Sequence, residues 1–299
     1  MAAPDSSPVN VRTLLCHRDV ALMIHAWQTL LACSAEPVRT VVHDDGSLTA
    51  ADEAALVAAL PGTRVLRRAE ADALMAERLA RHPHARAFRA RSVWGLKLLD
   101  VALVEGGDCF YVDGDIRFFR PFRGLFTREA VAGRSVFLRD TVWTAYSIRP
   151  WHLLDRRRLR VVEGINTGLS LIDRALYDLD FVDWFLAQPD WRVIPAWTEP
   201  TCWAALAVRA RGHAVDPRQI VNLYPEAQVG PETVGAHFLS AHRAGFQAEW
   251  LRAPDPAAAA TPVRFLPLGR VGPLGLGLNQ LGRRWRNRRE VRRRSKEQP

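Results

Sequence analysis

Residues 109–119 contain an apolar run that ends in two carboxylates, and few folds accommodate such a stretch. The run leads into Asp113 and Asp115, which are separated only by Gly114, and aromatic residues resume at Phe118. A continuous apolar run of this length is typical of a strand buried on both faces. Because open α/β sheets bind ligands beyond the carboxyl ends of their strands, this stretch predicts an acidic pair at a ligand-binding edge.

The spacing of the two acids favours a shared cation. Gly114 allows the backbone to turn tightly, so both carboxylates can face one hard cation, Mg²⁺ or Mn²⁺, that also holds a diphosphate. The same short pattern also occurs where two acids merely cap a strand in a solvated turn. The apolar residues on both sides favour the cation.

Two segments carry a resemblance to a known family. Residues 92–119, a predicted helix with Lys97 followed by Phe-Tyr-Val-Asp-Gly-Asp-Ile-Arg-Phe-Phe, resemble the DxD region of glycosyltransferases with the GT-A fold. Residues 164–172, Gly-Ile-Asn-Thr-Gly-Leu-Ser-Leu-Ile, are similar to the Asn-Thr-Gly strand of the members that use sugar nucleotides. The resemblance covers roughly residues 11–243. It implies an α/β fold, a GT-A-like, Rossmann-type nucleotide-binding mixed sheet flanked by helices.

The resemblance also implies a metal site and a phosphate contact. Asp113, Asp115 and a late histidine, His237 with His242 in reserve, would bind the cation. Lys97 would approach the donor phosphates, although a solvated lysine on a helix is the simpler alternative.

Donor binding is expected at two further strand ends. The acid after the second strand would contact the nucleoside, and the resemblance leaves open whether it is Asp44 or Asp45. The Asp-Asp-Gly-Ser sequence there is also an ordinary turn. Asn166, Thr167 and Gly168 would bind the donor, with Asn166 touching the donor sugar or the attacking acceptor.

Glu199 is the candidate catalytic acid or base. By resemblance it would orient the acceptor hydroxyl or act as general base. Residues 198–200 also fit an ordinary helix start, with Thr198 as N-cap and Pro200 in the first turn. The family often has glutamine or another polar residue after this acid, where the present sequence has Pro200. Asp173 and Asp183 are weaker candidates.

Aromatic and basic residues leave further alternatives open. Six tryptophans between positions 143 and 203 are expected on the acceptor side, as sugar platforms or as core residues. Arg117, Arg120 and Arg123 either neutralise a diphosphate leaving group or wrap the edge of the sheet. Residues 135–138 are predicted as a strand at the rim, and residues 174–187 as one helix.

Composition divides the chain into three parts. Residues 11–250 are predicted as one catalytic domain, residues 251–282 as an Ala/Pro/Gly-rich linker, and residues 283–299 as a basic tail. The tail has eight Arg and one Lys against two Glu, so it carries +7 of the net charge of +9. Such a tail fits an anionic lipid surface, and nucleic-acid binding or a solubilising end are alternatives.

The compartment is predicted from what the sequence lacks. No apolar run reaches the roughly 20 residues of a membrane span, and the start does not resemble a signal peptide. The four cysteines form no CxxC pair, which favours buried thiols in a reducing compartment. We therefore expect a cytoplasmic protein, peripheral on the inner face of the membrane through Arg283 to Lys296.

Together these features predict a metal-dependent, hexosyltransferase-like glycosyltransferase. It would use Mn²⁺ or Mg²⁺ and a nucleotide-diphosphate donor, with a UDP-sugar favoured, and a hydroxyl on a glycan or lipid-linked acceptor. No specific nucleic-acid partner is expected. The alternatives are a nucleic-acid or membrane-surface binding protein acting through the tail, and a DxD phosphatase, whose motif usually has Thr or Val where this chain has Arg117.

Overall fold

In the computed structural model, the structure describes residues 8–140, 146–147, 160–188, 194–223, 229–239 and 258–272, together with residues 274, 275, 278 and 282. The basic tail, the reserve ligand His242 and the tryptophans Trp143, Trp151 and Trp191 lie outside these residues.

The helices and strands alternate along most of the described chain. The helices are α1 (Val20–Cys33), α2 (Ala50–Ala59), α3 (Arg68–Arg78), α4 (Pro83–Arg91), α5 (Val93–Leu103), α6 (Arg128–Val131), α7 (Leu179–Ala187) and α8 (Pro195–Arg209). The strands are β1 (Val9–Leu15), β2 (Val38–Asp44), β3 (Arg64–Leu66), β4 (Cys109–Val112), β5 (Ile116–Phe118), β6 (Phe122–Arg123), β7 (Ser135–Arg139), β8 (Val161–Val162), β9 (Ile165–Ile172), β10 (His213–Val215), β11 (Ile220–Asn222), β12 (Gly235–His237), β13 (Thr261–Pro262), β14 (Phe265–Pro267) and β15 (Arg270–Val271).

Eight strands form the main sheet, in the order β14-β10-β7-β9-β4-β1-β2-β3. Strands β3, β2, β1 and β4 run parallel, whereas β9 is antiparallel to both β4 and β7. Two apolar cores cover the faces of this sheet, one with α3, α4, α5, α7 and α8 and the other with α1 and α2. The predicted class, a mixed α/β sheet flanked by helices, is confirmed.

Local sequence accounts for several element ends. Thr49 and Asp52 form a capping box at the start of α2, as the sequence predicts. Ser92 caps α5, and Pro83 and Pro195 occupy the first turns of α4 and α8, where a missing N–H costs nothing. These caps fix where the helices begin relative to the strand ends.

A second sheet brings a distant segment beside the acidic pair. It has the order β11-β12-β5, and β5 starts directly after Asp115. Strand β12 pairs antiparallel with β5 in a register that places His237 opposite Ile116. The amide of Phe238 donates to the carbonyl of Asp115 over 2.9 Å. This pairing, rather than closeness in sequence, puts His237 next to Asp115.

Three predicted elements differ in the structure. Strand β7 lies inside the sheet and not at its rim, because the short strand β10 pairs along its outer side. The predicted helix over residues 174–187 is divided into a 3₁₀ turn, Arg174–Leu176, and α7, since Asp178 caps a new helix. Helix α8 begins at Pro195, so Thr198 is not an N-cap, and its hydroxyl donates to the carbonyl of Ile194 instead.

Part of the segment predicted as a linker belongs to the fold. Among residues 251–282, the described residues 258–272 contain β13, β14 and β15, and β14 forms an edge of the main sheet. The prolines and glycines of this stretch are typical of a linker, but Pro262 and Pro267 lie in edge strands that tolerate a missing N–H. The boundaries of the three predicted parts otherwise stay a prediction. None of the described helices is long and apolar enough to cross a membrane.

Candidate metal and donor site

A cavity of about 500 Å³ opens at the carboxyl ends of β1 and β4. Its lining includes the two parallel strand ends, the N-terminal part of α5, the Asn-Thr-Gly segment of β9 and one turn of α8. Adjacent parallel strands whose connections diverge leave such a crevice at their carboxyl edge. The predicted site residues that line it are Asp45, Lys97, Asp113, Asp115, Asn166, Thr167, Gly168, Glu199 and His237.

Asp113, Asp115 and His237 form a candidate metal site. One ligand atom from each residue lies within 4.8 Å of the others. Nε2 of His237 is 3.2 Å from Oδ1 of Asp115 and 3.8 Å from Oδ2 of Asp113. Two carboxylates and one imidazole are a donor set that fits Mn²⁺, and the carboxylates also suit Mg²⁺. The residues present therefore fit the expected divalent cation.

Asp113 is also held in place by two buried neighbours, Lys97 and Tyr111. The ammonium group of Lys97 donates to both carboxylate oxygens, over 2.9 and 3.0 Å. The hydroxyl of Tyr111 also donates to Oδ1. The Lys97 ammonium lies 4.8 Å from the centre of the Tyr111 ring. Lys97 is thus neither solvated nor remote from the site, and Tyr111 is a site residue that the sequence reasoning missed.

The protonation states of these two neighbours follow from burial and charge. Burial and the adjacent Asp113 carboxylate both raise the pKa of Tyr111, so it remains a donor. Burial by itself would lower the pKa of Lys97, but Asp113 and Glu199 outweigh burial and the pKa is raised. Lys97 therefore stays an ammonium ion and supplies a fixed positive charge inside the cavity.

Glu199 lies in the second turn of α8 and is fully buried. The hydroxyl of Thr167 donates to its Oε2 over 2.9 Å. Burial raises the pKa of Glu199 to about 7, although Lys97 and the Thr167 hydroxyl act in the opposite direction. A carboxyl group that titrates near neutral pH in a cavity can take up or give back a proton.

The two acids after β2 differ in their surroundings. Oδ1 of Asp44 accepts from the amides of Gly46 and Leu48, over 2.8 and 3.1 Å, and Asp44 does not line the cavity. Asp45 lines the cavity, and its Oδ1 accepts from the amide and hydroxyl of Ser47. Of the two candidates that the sequence left open, the structure places only Asp45 at the site.

A bulge in β9 presents the Asn-Thr-Gly segment. Along β7 the pairing passes from Phe137 opposite Ser170 to Leu138 opposite Asn166, so residues between them have no partner on that side. Oδ1 of Asn166 accepts from the amide of Gly168 over 2.8 Å and closes the bulge. The bulge turns these residues toward the cavity.

Gly168 leaves room for the imidazole of His237, in addition to any role in donor binding. A Cβ atom at position 168 would lie 2.4 Å from Cε1 and 2.8 Å from Nδ1 of His237. Those distances are too short for any side chain, so glycine is what allows the imidazole to lie against β9. Gly114 has a related role, because a Cβ there would meet the Met23 side chain at 3.1 Å.

Asp140 and Asn222 complete the surroundings of His237, and the sequence reasoning missed both. Asp140 follows the last residue of β7 and lines the cavity. Its Oδ1 accepts from Nδ2 of Asn166 and Nδ2 of Asn222, over 3.2 and 2.8 Å. Oδ1 of Asn222 is 3.1 Å from Nδ1 of His237. An acid directly after a strand was a usable signal for Asp140, as it was for Asp113.

Several predicted candidates lie outside the cavity. Arg117 is buried and does not line the cavity. Arg120 donates to the carbonyls of Gly230, Pro231 and Thr233. Both arginines therefore lie at the sheet edge. Asp173 caps the 3₁₀ turn after β9 and Asp183 accepts from the amide of Ala85. Among the described tryptophans of the predicted platform, Trp203 is in the core, Trp184 packs half-buried against it, and Trp197 does not line the cavity. Trp94, which is outside the predicted platform, does line the cavity.

Known proteins resemble this chain only in structure. No protein-family model matches the sequence, and no curated protein matches it. Solved structures similar to it include the galactosyltransferase LgtC (11% identity, 77% of this chain and 87% of that one, TM-score 0.41). A glycosyltransferase involved in the glycosylation of the major capsid of PBCV-1 has 12% identity over 80% of this chain and 97% of its own (TM-score 0.43). Core-mannan synthase A of Aspergillus fumigatus, solved in a Mn/GDP form, has 10% identity over 72% and 74% (TM-score 0.44).

All three similar proteins are glycosyltransferases. At these identities and TM-scores the likeness does not determine an activity, which depends on the side chains of the site.

Proposed function

We propose that the protein is a metal-dependent glycosyltransferase that moves a sugar from a nucleotide-diphosphate donor to a hydroxyl acceptor. The observation that carries the proposal is the meeting of Asp113, Asp115 and His237 in one cavity with Lys97 and Glu199. Cation ligands, a fixed ammonium and a carboxyl group with a pKa of about 7 are the groups that transfer from a diphosphate needs.

The donor would lie along the carboxyl edge of the sheet. Asp113, Asp115 and His237 would hold Mn²⁺ or Mg²⁺, which supplies positive charge to the departing diphosphate. Lys97 would exchange its contact with Asp113 for the donor phosphates, and Asp45 would contact the nucleoside. A UDP-sugar remains the favoured donor. The Mn/GDP form of the similar mannan synthase supports a metal with a nucleoside diphosphate, without choosing the base.

The sugar would lie between β9 and α8. The bulge amides and Asn166 would hydrogen-bond its hydroxyls, and Thr167 would keep Glu199 in position. Glu199 would orient the acceptor hydroxyl and accept its proton as the new glycosidic bond forms. Because Glu199 is fully buried, the acceptor hydroxyl would have to enter the cavity to reach it.

A donor panel tests the proposal. UDP-, GDP- and dTDP-sugars are tested for binding and slow hydrolysis with Mn²⁺, Mg²⁺ or EDTA, using wild type, Asp115→Ala and the control Asp180→Ala, whose side chain is 95% exposed. We expect metal-dependent binding of one donor, lost by at least 100-fold in Asp115→Ala and kept in the control. No binding by folded wild type would overturn the proposal, and hydrolysis of a simple phosphate ester instead would favour the phosphatase.

A further inference from the structure

Three hydrogen-bonding groups surround the side-chain amide of Asn222 and determine the directions of its oxygen and its NH₂ group. Its Nδ2 is 2.8 Å from Oδ1 of Asp140 and 3.1 Å from the carbonyl oxygen of Arg139. A carboxylate and a carbonyl accept hydrogen bonds only, so the NH₂ group must face them. The amide oxygen of Asn222 then faces Nδ1 of His237, at 3.1 Å.

This orientation places a proton on Nδ1 of His237. An amide oxygen cannot donate, so the hydrogen bond requires a proton on Nδ1. With a cation in the site, Nε2 would present its lone pair to the cation, and Nδ1 would carry the only N–H of the ring. Nε2 is the atom that lies 3.2 Å from Asp115 and 3.8 Å from Asp113. Only that tautomer can bind a cation placed among the three residues.

Burial makes this arrangement hard to replace. Asp140, Asn222 and His237 are 7%, 7% and 4% exposed, so solvent offers few substitute partners. Gly168 packs against the imidazole, because a Cβ there would lie 2.4 Å from Cε1 and 2.8 Å from Nδ1. The ring is therefore packed against Gly168 and hydrogen-bonded to Asn222.

We propose that Asn222 is a positioning residue that holds His237 in the metal-binding tautomer, and that Asp140 acts through Asn222 by fixing the direction of its amide. The inference rests on the proposed function, since it takes the three-residue cluster as a cation site. It links the end of β7 to β11 and β12, three elements from separate parts of the chain. A change at Asp140 is then expected to alter metal affinity although Asp140 is not a member of the metal-binding cluster.

The test uses three variants without any donor sugar. Asn222→Leu removes the acceptor for His237, Asp140→Leu removes the acceptor that orients Asn222, and Asp140→Asn keeps an acceptor oxygen at the same place. Mn²⁺ affinity is measured by electron paramagnetic resonance of free Mn²⁺. The tautomer of His237 is read from ¹⁵N chemical shifts in EDTA at pH 8.5 and with diamagnetic Mg²⁺, with His237→Gln identifying the signal.

We expect Asn222→Leu and Asp140→Leu each to lower Mn²⁺ affinity at least tenfold and to populate the Nε2–H tautomer. Asp140→Asn should stay within about threefold of wild type and keep the Nδ1–H tautomer. In the Asn222→Leu background, Asp140→Leu should add no further loss, because its effect passes through Asn222.

Wild-type affinity and tautomer in folded Asn222→Leu would overturn the inference, as would additive losses in the double variant. If Asp140→Leu does not fold, the affinity and the tautomer measured in Asn222→Leu are sufficient to test the inference. Failure of the proposed function is distinguishable, because wild type would then bind no Mn²⁺ while the tautomer would still report on Asn222.

Discussion

At the scale of single residues, the candidate site depends on groups with little freedom to change. Glu199 is buried beside a lysine, and His237 is packed against a glycine. Both arrangements have measurable consequences that do not require the substrate to be known.

Gly168→Ala should damage the metal site. The new methyl group would lie 2.4 Å from Cε1 of His237, so the imidazole must leave its present position between β9 and the two aspartates. We expect Mn²⁺ affinity to fall roughly tenfold or more, as for other changes beside metal ligands. Gly106→Ala is the matched control, since nothing lies within 4 Å of a Cβ there. Unchanged affinity in Gly168→Ala would contradict the placement of His237.

Glu199→Gln should change how stability depends on pH. The pKa of Glu199 is raised to about 7 from 4.5, so the folded protein keeps a proton that the unfolded chain loses. Raising the pH from 5 to 8 then favours the unfolded state of wild type, whereas a glutamine has no proton to lose. The melting temperature of Glu199→Gln, measured in EDTA, should therefore rise relative to that of wild type as the pH is raised from 5 to 8. If the melting temperatures of the two proteins change with pH in parallel, the pKa of Glu199 is not raised.

At the scale of elements, the site forms where short strands and bulges meet. Strand β9 leaves its pairing with β7 at Asn166, and its Thr167 hydroxyl reaches Glu199 on α8. Strand β12, only three residues long, carries His237 to the acidic pair. The connection between β9 and α8 can be tested separately from the metal.

Thr167→Val should shift the pH profile of transfer upward. The Thr167 hydroxyl lowers the pKa of Glu199, and valine cannot donate. With Glu199 as base, kcat/KM rises with pH through that pKa, and losing a hydrogen bond worth about 1 kcal/mol should move the rise up by about 0.5 to 1 pH unit. Thr167→Ser keeps the hydroxyl and should retain the wild-type profile. A shift in both variants or in neither would argue against this contact.

The sequence was sufficient where chemistry is local. The apolar run, Gly114 and the two acids predicted β4 and its carboxyl edge, and the capping box predicted the start of α2. It was insufficient where placement depends on pairing between distant segments. The β11–β12 pairing places Asn222 opposite His237, and Asp140 reaches this pair from the end of β7 through its hydrogen bond with Asn222. The position of β7 was predicted wrongly because the three residues of β10 give too weak a pattern to predict its partner.

At the scale of the whole molecule, charge is concentrated in the tail. Residues 283–299 carry +7 of the net +9, whereas the cavity lining includes six carboxylates, Asp19, Asp45, Asp113, Asp115, Asp140 and Glu199. A binding protein that acts through the tail and an enzyme that acts through the cavity therefore use different parts of the chain.

Ending the chain after Gly282 should separate these functions. We expect the shortened protein to keep metal-dependent donor hydrolysis within about twofold of the full chain. Its binding to vesicles containing anionic lipid should fall steeply, since each basic residue near such a surface contributes about 1 kcal/mol. Loss of donor hydrolysis in a folded truncated protein would contradict a cavity that works without the tail.

The central claim is that Asp113, Asp115 and His237 bind a divalent cation beside a nucleoside diphosphate. The most direct measurement is anomalous diffraction from crystals grown with Mn²⁺ and UDP, recorded at the manganese absorption edge. The claim predicts one strong anomalous peak within bonding distance of both carboxylates and of Nε2 of His237. A peak elsewhere, or none in crystals that hold UDP in the cavity, would contradict it.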